Sequence, residues 1–91
     1  MKESMNVPAV NKRLKRVEGQ IRGIIRMVDE DKPCEELLIQ LSSAKAALQK
    51  ISQLILQAHL SACLQEASQQ EDSNQTLQKI AVAIEQFSRI V

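Results

Sequence analysis

The chain has no Trp and no Tyr, and Phe87 is its one aromatic residue. The rings that anchor most small cores are therefore missing, and with them any stacking platform for the bases of single-stranded nucleic acid. Two Gly and two Pro in 91 residues supply little turn chemistry, which argues against a sheet-rich fold. No apolar run approaches the roughly 18 residues that cross a bilayer, so no membrane partner is expected. Met1-Lys2-Glu3-Ser4-Met5 has no apolar stretch behind it, so no secretory leader is expected either. Two cysteines, Cys34 and Cys63, are too few for a disulfide scaffold and read as reduced thiols of a cytoplasmic protein. Beyond those thiols and His59 there is no nucleophile–base pair and no phosphate loop, so the chain does not read as an enzyme.

What is present is an ordinary globular balance, 44% hydrophobic and 25% charged, enough for a single domain over 1–91. The net charge of +1 hides a split. Residues 1–26 hold seven basic residues against two acidic ones, a net +5, and residues 27–91 hold five against nine, a net −4. A basic first third on an otherwise acidic chain points to an anionic partner.

The apolar spacing reads as three helices and an all-α fold. Val10, Leu14, Val17, Ile21, Ile24 and Val28 recur at alternating steps of four and three, a helical stripe expected over about 7–28. Lys12, Lys15, Arg16, Arg22 and Arg26 project to the opposite side, with Arg13 and Gln20 on one flank. Gly19 and Gly23 fall on the basic face at some cost to the helix; they mark either close approach of another backbone or tolerance at a surface. Asp29-Glu30-Asp31-Lys32-Pro33 interrupts the pattern. Pro33 suits the first turn of the next helix, with Asp31 as its N-cap. That second helix, about 33–66, carries Leu37, Leu41, Ala44, Leu48, Ile51, Ile55, Ala58 and Ala62 in heptad spacing. Leu38, Leu54, Leu56, Leu60 and Leu64 lie off this seam, so the helix is apolar on more than one side. After a polar connector, in which Asp72 and Gln75 suit a capping box, Leu77, Ile80, Ile84, Phe87 and Val91 define a third helix, about 74–90. Two short helices cannot cover so long and apolar a third, which implies obligate association.

The chemistry-bearing residues are Cys34, His59 and Cys63. His59 and Cys63 are four apart and share a helix face. Cys34 opens the same helix, roughly 43 Å from Cys63 at 1.5 Å per residue. One subunit cannot unite them, but an antiparallel copy can, with a two-fold axis between Leu48 and Gln49. Two thiolates and an imidazole suit Cu(I) or Zn(II); three ligands match trigonal Cu(I), whereas Zn(II) wants a fourth. The alternative is that both thiols and the imidazole simply pack, as free Cys often does.

The run Asn11-Lys12-Arg13-Leu14-Lys15-Arg16-Val17-Glu18-Gly19-Gln20-Ile21-Arg22-Gly23-Ile24 resembles the opening helix of the copper-sensitive operon repressor family (CsoR/RcnR). The stretch from Cys34 to Cys63, with Ile39-Gln40-Leu41-Ser42 inside it, resembles that family's central helix, and the resemblance covers about residues 10–90. It implies a three-helix subunit, an antiparallel dimer with a four-helix-bundle core, and a dimer-of-dimers tetramer. It also implies repression by the apo form and release of double-stranded operator DNA on inducer binding. Its DNA-contacting positions correspond to Arg13 and Lys50, with Lys12, Lys15 and Arg16 nearby. The Cys/His/Cys set resembles that of the Cu(I)-sensing members. Where those carry a Tyr before the first Cys this chain has Pro33, and where they carry a Glu on the third helix it has Lys79. These replacements raise a second reading, a persulfide-sensing repressor using Cys34 and Cys63 of opposing subunits and no metal. A small metal-binding buffer protein would keep the three donors but needs no basic face, and a purely structural bundle explains the seams but not the donors.

Overall fold

A computed structural model describes residues 1–69 and 73–91. A short 3-10 turn, Lys2–Ser4, precedes three α-helices: α1 (Val7–Asp29), α2 (Cys34–Gln69) and α3 (Ser73–Ser88). There are no strands among the described residues, as expected for an all-α subunit. The capping box expected at Asp72 lies outside the described residues.

α1 starts where Asn6 caps it, its side chain accepting from the Ala9 N–H at 3.1 Å. Pro8 sits in the first turn, where its missing N–H has no intrahelical partner to lose. The end of α1 corrects the expectation for Asp31. Asp31 is not the N-cap of α2; it adopts φ 55°, the left-handed conformation that usually calls for Gly. The Asp31 N–H donates to the Val28 carbonyl and the Lys32 N–H to the Met27 carbonyl, the paired bonds of a Schellman ending. Pro33 then stands just ahead of α2, its carbonyl accepting from the Glu36 and Leu37 N–H groups.

α1 folds back antiparallel on α2. Gln20 Nε2 donates to Ser43 Oγ at 3.1 Å across the hairpin. Val10, Val17 and Ile51 form the buried cluster, with Met5, Ala47, Leu54 and Ile55 packed on it. α3 returns antiparallel along the C-terminal half of α2, tied by Lys79 to Glu66 at one end and by Gln49 to the Ile90 carbonyl at the other. The N-terminal half of α2, before about residue 49, has no such cover from α3.

Each heptad pattern is split by this packing. In α1, Val10 and Val17 are buried, whereas Leu14, Ile21 and Val28 are exposed. In α2, Ala44, Ile51 and Ala58 are buried, whereas Leu41 and Leu48 are half exposed. On both helices the exposed row stands about 40° round from the buried one, in the same rotational sense. In an antiparallel pair, offsets of the same sense fall on one side, so the two rows form a continuous apolar face on the hairpin. The Gln20–Ser43 contact marks the opposite side.

The subunit is correspondingly open. Its radius of gyration is 17.4 Å, against about 12 Å for a compact chain of this length. It exposes 6888 Å², against roughly 5,300 Å² for a monomer of this mass. The excess is of the order that one or two stable protein interfaces remove.

Gly19 and Gly23 have no neighbour that demands their missing side chains: a Cβ at Gly23 meets nothing within 4 Å, and one at Gly19 meets only the end of Arg22 at 3.8 Å. Close backbone approach within the subunit is therefore not their role.

Replacing Asp31 with Gly removes the left-handed penalty without touching the Schellman bonds. Asp31→Gly should raise unfolding free energy by about 0.5–1 kcal/mol, measured by chemical denaturation at fixed protein concentration. A neutral or destabilising result would mean that the Asp31 side chain contributes something the hydrogen bonds do not show.

Candidate metal centre and nucleic-acid interface

The three candidate donors all belong to α2, and the geometry of that helix decides which can meet. α2 is unbroken over 36 residues, because no Gly or Pro interrupts it after Pro33. Cys34 is its first residue and is exposed. Cys63 is 2% exposed. His59, one turn before it, is half-buried, with Nε2 3.5 Å from Cys63 Sγ. One chain thus brings two of the three together and holds Cys34 roughly 43 Å away along the helix axis. Consistent with that separation, no group of three His, Cys, Asp or Glu among the described residues could hold an ion.

The pair that does meet has the right separation for shared ligation. Two donors about 2.3 Å (sulfur) and 2.0 Å (nitrogen) from one ion, at tetrahedral to trigonal angles, lie roughly 3.5–3.7 Å apart. Both cysteines are free thiols. A thiolate and an imidazole form a soft-to-borderline set that fits Cu(I) or Zn(II) and suits Mg²⁺ or Ca²⁺ poorly.

His59 also faces α3. It lines a groove of ≈500 Å³ together with Gln75, Gln78, Lys79, Val82 and Ala83. Lys79 is engaged there: its Nζ lies 3.2 Å from Glu66 Oε2, both side chains being about half exposed. Sequence reasoning missed this pair, whose members sit 13 apart across the polar connector. A surface pair of this kind contributes little to stability, but it fixes where the Lys79 ammonium stands.

The basic residues sort by side. Lys12, Arg13, Lys15, Arg16 and Lys50 are all exposed, and none has a carboxylate partner among the described residues. Arg22, by contrast, is paired with Glu18 at 3.2 Å. Arg13 and Arg16 stand seven and four residues before Gln20, and Lys50 stands seven after Ser43. All three therefore share the side of the hairpin marked by the Gln20–Ser43 contact, opposite the apolar face. Lys12 and Lys15 lie farther round on the outer surface of α1. Unpaired cations on one side and bare apolar rows on the other give the subunit two chemically distinct surfaces.

An elongated all-helical subunit with a half-assembled thiol–imidazole site and an unpaired basic side has the parts of a ligand-responsive regulator. Comparison with known proteins makes the class specific. The family model for metal-sensitive transcriptional repressors matches residues 6–89. The copper-sensing transcriptional repressor CsoR of Bacillus subtilis is 32% identical over 88 residues, covering 97% of this chain and 87% of that protein. The copper-sensing transcriptional repressor RicR of Mycobacterium tuberculosis is 50% identical over 56 residues, covering 62% of this chain and 58% of that protein. Among solved structures, the nickel-responsive transcriptional regulator InrS superposes with a TM-score of 0.84 at 34% identity, covering 92% of this chain and 94% of that one. The chain belongs to the metal-sensitive transcriptional repressor family. It is a regulator and not an enzyme.

The length of α2 makes a disulfide test decisive. Two cysteines bridge only when their Cα atoms come within about 7 Å. Mild oxidation of the native protein should therefore yield a crosslinked dimer on a non-reducing gel, with Cys34 of one chain joined to Cys63 of another by peptide mapping. An intrachain Cys34–Cys63 bridge would require α2 to break and would overturn the continuous helix.

Proposed function

We propose that this protein is a DNA-binding repressor released from its operator by Cu(I), held between two chains by His59 and Cys63 of one and Cys34 of the other. The observation that carries the proposal is the division of the donor set on α2. A soft pair is assembled at 3.5 Å near one end of an unbroken helix, and the third soft donor is exposed at the other. A second copy laid antiparallel brings the two ends together twice. The apolar face of the α1–α2 hairpin supplies the surface on which that copy packs, giving a four-helix core. Two such dimers pair into the tetramer that the family resemblance implies.

Cu(I), when bound, supplies a soft centre that ties α2 of one chain to α2 of the next. The protein's own residues do the rest. Cys63 is buried beside His59, with its Sγ 3.5 Å from Nε2. His59 orients its Nε2 toward the thiol from one helical turn away, while the remainder of the ring reaches the α2–α3 groove. A change at the donors is thereby felt by α3 as well as by the partner chain. Regulation needs the bound and free forms to prefer different quaternary arrangements, and the unpaired Lys12, Arg13, Lys15, Arg16 and Lys50 are the groups whose spacing on DNA that change would alter. CsoR and RicR, the relatives above, are copper-sensing, which supports the choice of ion. InrS is nickel-responsive, so the scaffold accommodates more than one metal.

One observation favours a second reading. Lys79 occupies the groove beside His59 and is paired with Glu66, so no carboxylate from α3 receives the imidazole. A persulfide-responsive repressor needs only Cys34 and Cys63 of opposing chains and no help from His59.

Titrating Cu(I), Zn(II) and a persulfide donor against a DNA complex separates these readings. Cu(I) should dissociate the complex at one ion per subunit. His59→Ala should weaken Cu(I) binding and abolish release by Cu(I), while Cys34→Ser should abolish both, since a hydroxyl is a poor ligand for a soft ion. Binding should tighten as pH rises, because thiolates bind deprotonated. Release by the persulfide donor alone, undiminished in His59→Ala, would decide for the second reading. A protein that binds copper and retains no DNA would be a metal buffer.

Arg13→Ala and Lys50→Ala should each weaken DNA binding and flatten its salt dependence by about one phosphate contact, a slope change of roughly 0.9. Thermal stability should stay within about 0.5 kcal/mol of the parent, both side chains being exposed. Unchanged affinity in both variants would place the DNA on another surface.

A further inference from the structure

The basic side of the hairpin carries a groove that the resemblance does not account for. It lies between the N-terminal turn, the start of α1 and the C-terminal half of α2, and has a volume of ≈440 Å³. Its polar lining is Ser4, Asn6, Arg13, Gln57 and Ser61, and no carboxylate lines it. Gln57 and Ser61 stand fourteen and eighteen residues after Ser43, four and five helical turns, so they share its side of the hairpin with Lys50.

We propose that this groove seats a backbone phosphate of the bound DNA, with Arg13 as its cation and Gln57 and Ser61 as neutral donors. The inference rests on the repressor reading above and extends the DNA surface beyond the basic residues to neutral positions on α2. Three observations support it. First, Arg13 has no carboxylate partner, so its charge is available. Second, the donors are uncommitted. Ser52, Ser68 and Ser88 each donate to the carbonyl three residues back at 2.7–2.8 Å, whereas Ser4, Gln57 and Ser61 make no side-chain hydrogen bond among the described residues. Third, the first turn of α1 borders the groove and contains no acidic residue, so no carboxylate within that turn offsets the positive end of the 23-residue helix. Arg–phosphate contact backed by amide and hydroxyl donors is the ordinary composition of a phosphate contact that positions a protein on DNA without reading its sequence.

The test uses a duplex that the wild-type protein itself retains from a random-sequence pool, with binding followed by fluorescence anisotropy over a range of salt concentrations. Gln57 and Ser61 are exposed, and Gln, Glu and Lys have similar helix propensities. Circular dichroism and the solution mass should therefore be unchanged in every variant. Gln57→Glu should raise Kd about tenfold or more. Gln57→Lys should lower Kd and steepen the log Kd–log salt slope by roughly 0.9 per groove engaged. Ser61→Ala should raise Kd about two- to fivefold with the slope unchanged, because a neutral donor releases no counterion. If Gln57→Glu and Gln57→Lys both stay within twofold of wild type while Arg13→Ala weakens binding, the groove is not a phosphate seat. A wild-type protein that retains no duplex overturns the repressor reading, and this proposal with it.

Discussion

The unbroken length of α2 governs everything else in this protein. A 36-residue helix is a rod of about 54 Å, and a rod cannot bring its own ends together. Cys34 and Cys63 are kept apart by that rigidity, and a site that uses both has to be made by two chains. The same rod is too long for its neighbours: α3 follows only its C-terminal half, and α1 occupies one flank. Most helical stability in proteins comes from packing and not from propensity. The bare rows, Leu41 and Leu48 on α2 and Leu14, Ile21 and Val28 on α1, are therefore as much a part of the design of the hairpin as its buried rows.

Two kinds of surface follow from one hairpin. Turning Val10, Val17 and Ile51 into the shared core sends the other apolar rows to one side, and leaves Arg13, Arg16 and Lys50 with Gln20 and Ser43 on the other. A bare apolar face and a face of unpaired cations are in this way back to back, separated by the thickness of a two-helix layer. In the proposed dimer, a change in how two subunits meet on the apolar face would move the basic faces relative to one another. That mechanical link requires no flexible hinge, only rigid helices whose packing has more than one arrangement. The metal-sensitive repressor family, to which the chain belongs, joins an inducer to DNA, and this back-to-back layout is a physical route by which such coupling can travel.

Much of the architecture was legible in the residue order, and the failures are local and instructive. The steps of three and four in Val10 to Val28 and in Leu37 to Ala62 identify amphipathic helices wherever they occur. They mark both heptad rows alike, however, and cannot say that Val17 is buried while Leu14 and Ile21 are not. Asp31 has the chemistry of an N-cap and stands at the right distance from α2, but the hydrogen bonds of Lys32 to Met27 and of Asp31 to Val28 claim it for the end of α1. Competition between two adjacent helix ends for one residue is decided by three-dimensional closure, which no local pattern encodes. Lys79 read as a missing carboxylate; in the fold it is the partner of Glu66. Gln57 and Ser61 carried no signal beyond polarity at spacing four.

From the sequence alone come the three helices, the asymmetry of charge between the first third and the rest, and the placement of His59 one turn from Cys63 with Cys34 at the far end. All of these are properties of a single chain read along its own helical period. The tertiary structure alone decides which apolar row faces α2 and which is left bare. It also decides that Cys63 is enclosed while Cys34 is open, that Lys79 stands beside His59 with Glu66, and that Arg13 and Lys50 share a side with an empty-handed Gln57 and Ser61. Those depend on the register between helices, and register is set by how side chains from distant segments fill space together, a quantity that no single helix contains.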